Sequence, residues 1–307
     1  MYKRQFKSFE TQNKLSEELN KDKLPESESF LIETYQLKNS WQSIKSYKSK
    51  KFDFIEKDNL VFLLGFPRTG TTLLDTILMG HPDIIVLEEA PMAEIMIEDF
   101  NGIGTPEDCY NLTKTDLVEF RKLYKIELEK QLGYSSKGKL IVDKHPLNTR
   151  YIPLLHHAFP DAKFIVALRH PCDCILSCFM QNFEFNKGTG NLISLTKSTE
   201  LYDATMGLWV ALESKLKLNA QTLRYEDLIE DVDGICRPLI SFLGLKWVDG
   251  ILDHTKTAKE RTQISTASYN QVTQTIYKTA KGRWSNYEDQ LSEILPKLDP
   301  YIKKFGY

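Results

Sequence analysis

The sequence predicts an α/β fold in three layers, with a central parallel sheet and a P-loop-like phosphate-binding strand–loop–helix. Three observations predict it. Leu60-Val61-Phe62-Leu63-Leu64 is a continuous apolar run that stops at Gly65, as a strand buried on both faces should. Beyond the loop, Thr72-Leu73-Leu74-Asp75-Thr76-Ile77-Leu78-Met79 carries apolar residues at helical spacing and ends before Gly80 and Pro82. Two further runs, Leu140-Ile141-Val142 and Phe164-Ile165-Val166-Ala167-Leu168, each precede a polar turn and a helical pattern, so strands alternate with helices.

Residues 1–59 read as an N-terminal helical extension packed on a catalytic domain of residues 60–307. The extension is rich in Lys, Glu and Ser, with Phe30, Leu31, Tyr35, Leu37 and Trp41 as anchors. The Lys45 to Lys51 cluster reads as a solvated face. Within the domain, Ile84-Ile85-Val86-Leu87 is a further strand-like run, and another strand is expected near Gln221 to Arg224. Helices are expected at about 147–159, 173–183, 194–219, 231–243 and 287–305, and 99–108 and 183–191 read as loops. There is no internal repeat and no long low-complexity linker.

The 307 residues are 41% hydrophobic and 27% charged, which suits one large globular domain or two small ones. A formal net charge of −2 argues against a uniformly basic nucleic-acid-binding surface. The first residues lack the apolar core of a secretory signal or membrane anchor, so a soluble cytoplasmic protein without a membrane span is expected. Five cysteines, three of them crowded at Cys172, Cys174 and Cys178, read as buried reduced thiols, with neither a disulfide framework nor a metal site.

Gly65-Phe66-Pro67-Arg68-Thr69-Gly70-Thr71-Thr72 has the glycine spacing of a phosphate loop between a strand and a helix. There the backbone can wrap an anion, and the helix start favours negative charge. The position that holds lysine in an NTPase loop is Thr71, which removes the usual contact to β- and γ-phosphates and speaks against a P-loop kinase or NTPase. Arg68 can serve a shorter anion. A non-catalytic nucleotide-binding protein is the remaining alternative.

This octet resembles the 5′-phosphosulfate loop of sulfotransferases that use 3′-phosphoadenosine 5′-phosphosulfate (PAPS) and release 3′-phosphoadenosine 5′-phosphate (PAP). Asp143-Lys144-His145-Pro146-Leu147-Asn148 is similar to the Asp-Lys-x-Pro-x-Asn segment of the bacterial branch often fused to tetratricopeptide repeats. Arg169-His170-Pro171-Cys172-Asp173, with Ser177 to Phe183, resembles that branch's 3′-phosphate segment, although the relatives often have a second arginine where Cys172 stands. The similarity runs from Leu60 to the C-terminus and includes Tyr225-Glu226-Asp227-Leu228 and Gly282-Arg283-Trp284. No repeats precede it.

The resemblance implies a role for each position. Gly65, Pro67, Arg68, Thr69, Gly70, Thr71 and Thr72 would bind the 5′-phosphosulfate, and Arg169 and Ser177 the 3′-phosphate. Read alone, Arg169 equally suits a strand-end ion pair and Ser177 a neutral helix position. Lys144 resembles the lysine that stabilises the bridging oxygen. Glu89 takes the place of the catalytic glutamate of the tyrosylprotein and repeat-fused enzymes, with Glu88 beside it and His145 as the backup base. Repulsion between the adjacent carboxylates suits one of them to proton uptake. Ser268 matches a serine near the transferring group, Lys281-Gly282-Arg283 a basic element at the 3′-phosphate, and Tyr225 a tyrosine near the nucleotide. The implied reaction is metal-independent in-line transfer to a hydroxyl acceptor: a peptide tyrosine, carbohydrate, lipid or small molecule. A homodimer is compatible with the sequence, and neither a metal nor nucleic acid is expected as a partner.

Overall fold

In the computed structural model the apolar runs become five parallel strands, β1 (Leu60–Gly65), β2 (Ile84–Glu88), β3 (Leu140–Lys144), β4 (Lys163–Leu168) and β5 (Ala220–Arg224), in the order β2-β3-β1-β4-β5. The structure describes residues 2–50, 52–54, 57–98, 104–260, 272–274, 276 and 279–307. All four pairings are parallel; β1 pairs Leu60 with Ile141 of β3 on one side and Val61 with Lys163 of β4 on the other.

The two-residue period of β1 divides the interior. Val61 and Leu63 face one core with Ile77, Leu239 and Ile240, while Phe62 and Leu64 face the other with Tyr124, Phe159 and Trp209. Both faces are covered by helices, which explains why the strands read as unbroken apolar runs. The described α-helices in chain order are α1 (Tyr2–Leu19), α2 (Leu24–Ser43), α3 (Thr71–Met79), α4 (Met92–Glu98), α5 (Pro106–Asn111), α6 (Lys114–Leu132), α7 (Ile152–Ala158), α8 (Pro171–Phe179), α9 (Leu195–Lys215), α10 (Tyr225–Glu230), α11 (Val232–Leu243), α12 (His254–Glu260), α13 (Glu288–Leu291) and α14 (Leu295–Lys304). None of them is long and apolar enough to cross a membrane.

The N-terminal helices join the same core as the sheet. Phe6 stacks on Phe179 with ring centroids 4.8 Å apart, Asn13 Nδ2 donates to the Phe179 carbonyl at 2.9 Å, and Trp41 Nε1 donates to the Gly104 carbonyl at 2.7 Å. Asp203 of α9 gathers Lys38 Nζ at 2.7 Å and the Tyr35 hydroxyl at 2.9 Å from α2, and the Tyr301 hydroxyl from α14. Both ends of the chain are thereby pinned to α9.

Several boundaries differ from the sequence expectation, and prolines account for most of them. The helix expected at 147–159 is a 3-10 turn, Pro146–Tyr151, followed by α7, with prolines near both starts. The expected 173–183 helix runs from Pro171 to Phe179. The expected 287–305 helix breaks before Leu295, where Pro296 opens α14. Helices α5 and α6 were not expected, and α5 begins inside the segment 99–108 read as a loop. Their signals were nonetheless present: Thr105 with Asp108, and Thr113 with Asp116, form capping boxes.

Candidate active site

Every described segment singled out from the sequence leaves the carboxyl end of a strand, except the Gly282 turn. The phosphate loop follows β1, Glu89 follows β2, Lys144 closes β3 ahead of His145, Arg169 follows β4 and Tyr225 follows β5. The chain passes from one side of β1 to the other at this edge, which is where α/β sheets bind ligands. A cavity of about 1520 Å³ lies there.

The loop turns tightly. Thr69 donates to the Phe66 carbonyl from both its amide, at 3.2 Å, and its hydroxyl, at 2.7 Å. Gly70 has φ of 90°, and a Cβ there would come within 2.5 Å of the Tyr225 ring, so glycine serves both conformation and space. A Cβ on Gly65 would lie 2.7 Å from the Ala167 carbonyl oxygen. Pro67, Arg68, Gly70, Thr71 and Thr72 border the cavity, with Gly65 and the buried Thr69 behind them. The N-cap residue of α3 is Gly70, which has no side chain to cap the helix, so its first amides suit an anion. Arg68 has φ of 72° and Glu89 φ of 50°, the two positive-φ non-glycine residues among those described. Such strain gathers where geometry matters for chemistry.

A second cationic station lies beside β4. The buried Arg169 donates from Nη1 to the Arg68 carbonyl at 3.0 Å and from Nη2 to the Ala280 carbonyl at 2.7 Å, and its guanidinium lies 4.9 Å from the Tyr225 ring centroid. Its Nε is buried with no hydrogen-bond partner among the described residues. Ser177 Oγ accepts from Arg68 Nε at 3.1 Å, so the serine is joined to the loop arginine, and Ser177 and Arg169 border the same cavity. Asp173 accepts from the backbone amides of Gly282 and Trp284, each at 2.8 Å, tying the C-terminal turn to α8 and bringing Arg283 to the cavity. Burial pushes the Asp173 carboxyl up, opposed by Arg169. Lys281 turns outward to Glu230 at 3.2 Å. Cys172 is fully buried, so no charge reaches the pocket from that position, and Trp284 stacks on His170 with centroids 5.0 Å apart.

The third group surrounds Lys144. Its ammonium lies 2.9 Å from Glu89 Oε1, 3.3 Å from Glu88 Oε1 and 3.5 Å from Asp75 Oδ2. Burial disfavours the ammonium, but Asp75, Glu89 and Glu88 outweigh it and raise the Lys144 pKa. Glu89 borders the cavity, and its amide donates to the Lys144 carbonyl at 2.8 Å. His145 also borders the cavity. Burial holds its pKa below the usual histidine range, and its Nδ1 has no partner among the described residues. Behind Lys144, the buried Asp143 accepts from the Tyr124 hydroxyl at 2.7 Å, and burial lifts its carboxyl to about 7.

Ser268 lies outside the described residues. The sequence reading missed Asp75, which was detectable as the one charge inside the otherwise apolar and threonine-bearing α3. It also missed the wall of Leu73, His254, Val272 and Ile276 beside Tyr225, and the contribution of α2 to the cavity through Glu26 and Phe30. Those positions carry no local pattern.

Comparison with known proteins agrees with this architecture. An uncharacterized protein of Aquifex aeolicus (strain VF5) is 28% identical over 254 residues, which cover 80% of this chain and 33% of that protein. The chain therefore spans about a third of that relative's length. Protein-tyrosine sulfotransferase A of Caenorhabditis elegans is 22% identical over 257 residues, 80% of this chain and 67% of that protein. Among solved structures, the sulfotransferase domain from the Synechococcus PCC 7002 olefin synthase shares the fold with a TM-score of 0.55 and 20% identity, over 78% of this chain and 91% of that one. The sulfotransferase family model matches residues 60–249, from the first strand to beyond the last, and with it the phosphate loop and the four strand-end segments that follow: the chain belongs to the sulfotransferase family.

Proposed function

We propose that the chain moves a sulfuryl group from PAPS to a hydroxyl acceptor. The observation that supports this best is the presence of two cationic stations on one cavity: Arg68 at the uncapped start of α3, and Arg169 with Arg283 beside β4. The donor carries anions at two positions, and the cavity exceeds the roughly 300–1,000 Å³ of a single-ligand pocket. In this reading the loop holds the 5′-phosphosulfate, and Arg169, whose Nε is orphaned, reads the 3′-phosphate with Ser177 and Arg283. The wall of Leu73, Tyr225, His254, Val272 and Ile276 takes the base.

Glu89 takes the proton as the acceptor oxygen bonds to sulfur. The bond from sulfur to the bridging phosphate oxygen breaks, and PAP leaves. Arg68 and Lys144 offset the charge left on that phosphate. Lys144 is covered by Glu89, so it reaches the donor by exchanging the carboxylate for the phosphate oxygen, which frees Glu89 for the acceptor. His145, held neutral by burial, is the second reading for the base. A kinase or NTPase would want a cation where the buried Thr71 stands. With these cations in place the reading needs no divalent metal.

The test is thermal unfolding with PAP, AMP and ATP, together with transfer from PAPS in excess EDTA. PAP at about a hundredfold excess over its Kd should add about 2.7 kcal/mol of stability, with much less from AMP or ATP. Equal shifts with AMP would remove the 3′-phosphate assignment. Transfer abolished by chelation and restored by Mg²⁺ would reopen the kinase reading.

A further inference from the structure

The strand order separates two ends of the cavity. Arg169 and Tyr225 follow β4 and β5 on one side of the phosphate loop, whereas Glu89, His145 and Leu147 follow β2 and β3 on the other. The β2–β3 end is walled by a continuous set of contacts. Lys187 in segment 183–190 meets Glu94 of α4 at 2.5 Å. Ser27 of α2 donates to the Asn186 carbonyl at 3.3 Å, and its own carbonyl accepts from Asn191 Nδ2 at 2.8 Å. Gly190 packs so close to α2 that a Cβ there would overlap the Ser27 hydroxyl. The N-terminal helix α2, helix α4 just beyond Glu89, and segment 183–190 thus form one wall.

That wall has a distinct chemistry. Phe30, Leu147, Tyr151 and Phe185 border the cavity at this end, Gly188 lying against Leu147, Gly190 against Phe185 and the Arg150 guanidinium over the Phe30 and Tyr151 rings. Among the described residues, the charged side chains of this wall that border the cavity are Asp22, Glu26, Glu94 and Glu184 against Lys23 and Lys187, and Lys187 is already paired with Glu94. Among the described residues, the arginines that border the cavity are Arg68, Arg169 and Arg283, of the loop and the β4 side. The cavity is therefore cationic where a donor's phosphates would lie, and aromatic with an excess of carboxylate beside Glu89. A negatively charged acceptor would meet like charge at the moment of docking.

We propose that the acceptor is a hydroxyl compound with an aromatic body and no negative charge, held between α2 and segment 183–190, with the N-terminal helices selecting it. This rests on the transferase reading and on Glu89 as the base, since both place the acceptor at the β2–β3 end. The aromatic side chains bind the ring and present its hydroxyl toward Glu89. Asp22 and Glu26 on the rim reject carboxylated or sulfated competitors.

Three para-substituted phenols of similar size vary the charge: 4-ethylphenol, tyramine and 4-hydroxyphenylacetate. Binding of each to the full chain is measured by calorimetry with and without PAP, so that acceptor ranking and donor binding are read independently. The neutral and cationic phenols should bind at least tenfold more tightly than the carboxylate. In Asp22→Lys/Glu26→Lys, which changes two exposed residues, that ratio should fall at least threefold with an unchanged Tm. A carboxylate that binds as well as 4-ethylphenol overturns the proposal, as does the absence of binding by all three at millimolar concentration. An unchanged ratio in the double variant overturns the role given to α2. Failure of PAP alone would count against the donor reading, while the ranking measured without PAP still decides the acceptor class.

Discussion

The Lys144 ammonium sits 2.9 Å from the Glu89 carboxylate with none of its side chain exposed, while Glu89 keeps 38% of its own side chain open to the cavity side. One partner is sealed beneath the other. Asp75, equally sealed on α3, approaches the same ammonium at 3.5 Å, so a single cation is held by carboxylates from a strand end, the residue after it and a helix. In the proposed reaction the pair couples charge stabilisation to proton transfer.

Removing the cation should be costly. Lys144→Met removes the cation that Asp75, Glu88 and Glu89 share, and breaking a buried pair from one side costs about 3–5 kcal/mol. Lys144→Met/Asp75→Asn should recover part of that loss. Urea unfolding of the wild type and both variants checks this; a double variant no more stable than the single one would show that Asp75 carries little of the balance.

Glu89→Gln keeps a side chain of the same size over Lys144 and removes the proton acceptor. Turnover should fall by roughly two to four powers of ten with PAP binding nearly unchanged. His145→Ala should cost far less. Steady-state rates beside PAP calorimetry make the comparison, and an active Glu89→Gln with an inactive His145→Ala would move the base to His145.

In the proposed function Asp173 acts on the donor through the turn it holds. Asp173→Ala strands the Gly282 and Trp284 amides and loosens the turn that carries Arg283, so PAP affinity should drop about tenfold, the equivalent of about 1.4 kcal/mol. Asp173→Asn keeps an acceptor and should fall between. If Asp173→Ala binds PAP as the wild type does, the turn does not serve the 3′-phosphate.

Asp143 sets a pH dependence of stability. Its carboxyl titrates at about 7 in the fold against 3.8 as the ordinary value, because burial disfavours the charged form. Between those values the folded protein holds a proton that the unfolded chain has released, so this group's contribution falls as pH rises from about 4 to about 7 and is level above that range. Asp143→Asn retains an acceptor for Tyr124 and should flatten this slope, leaving the variant the more stable of the two at pH 8. Parallel slopes of Tm against pH from 4 to 8 would contradict it.

Much of the site was legible in the sequence because it follows strand ends. An apolar run that stops at a glycine or a charge marks the strand and the sheet edge at which α/β folds bind ligands, and the strands ending at Gly65, Glu88, Lys144 and Leu168, just before Arg169, follow this pattern. The loop's lack of a lysine at Thr71 was equally visible. Helices α5 and α6 could have been read from their capping boxes, and the break before Leu295 from Pro296.

The sequence by itself determined the layer order, the phosphate loop and the identity of the cations, since periodicity and residue type are local properties. Only the tertiary structure decided their partners. Ser177 joins Arg68, Asp173 fastens residues more than a hundred positions away, Lys144 is buried under Glu89 and against Asp75, and α2 supplies part of the cavity wall. Each of these joins segments far apart in the chain, and such contacts follow from parallel strands laid side by side with helices packed on both faces, a geometry that no local pattern encodes.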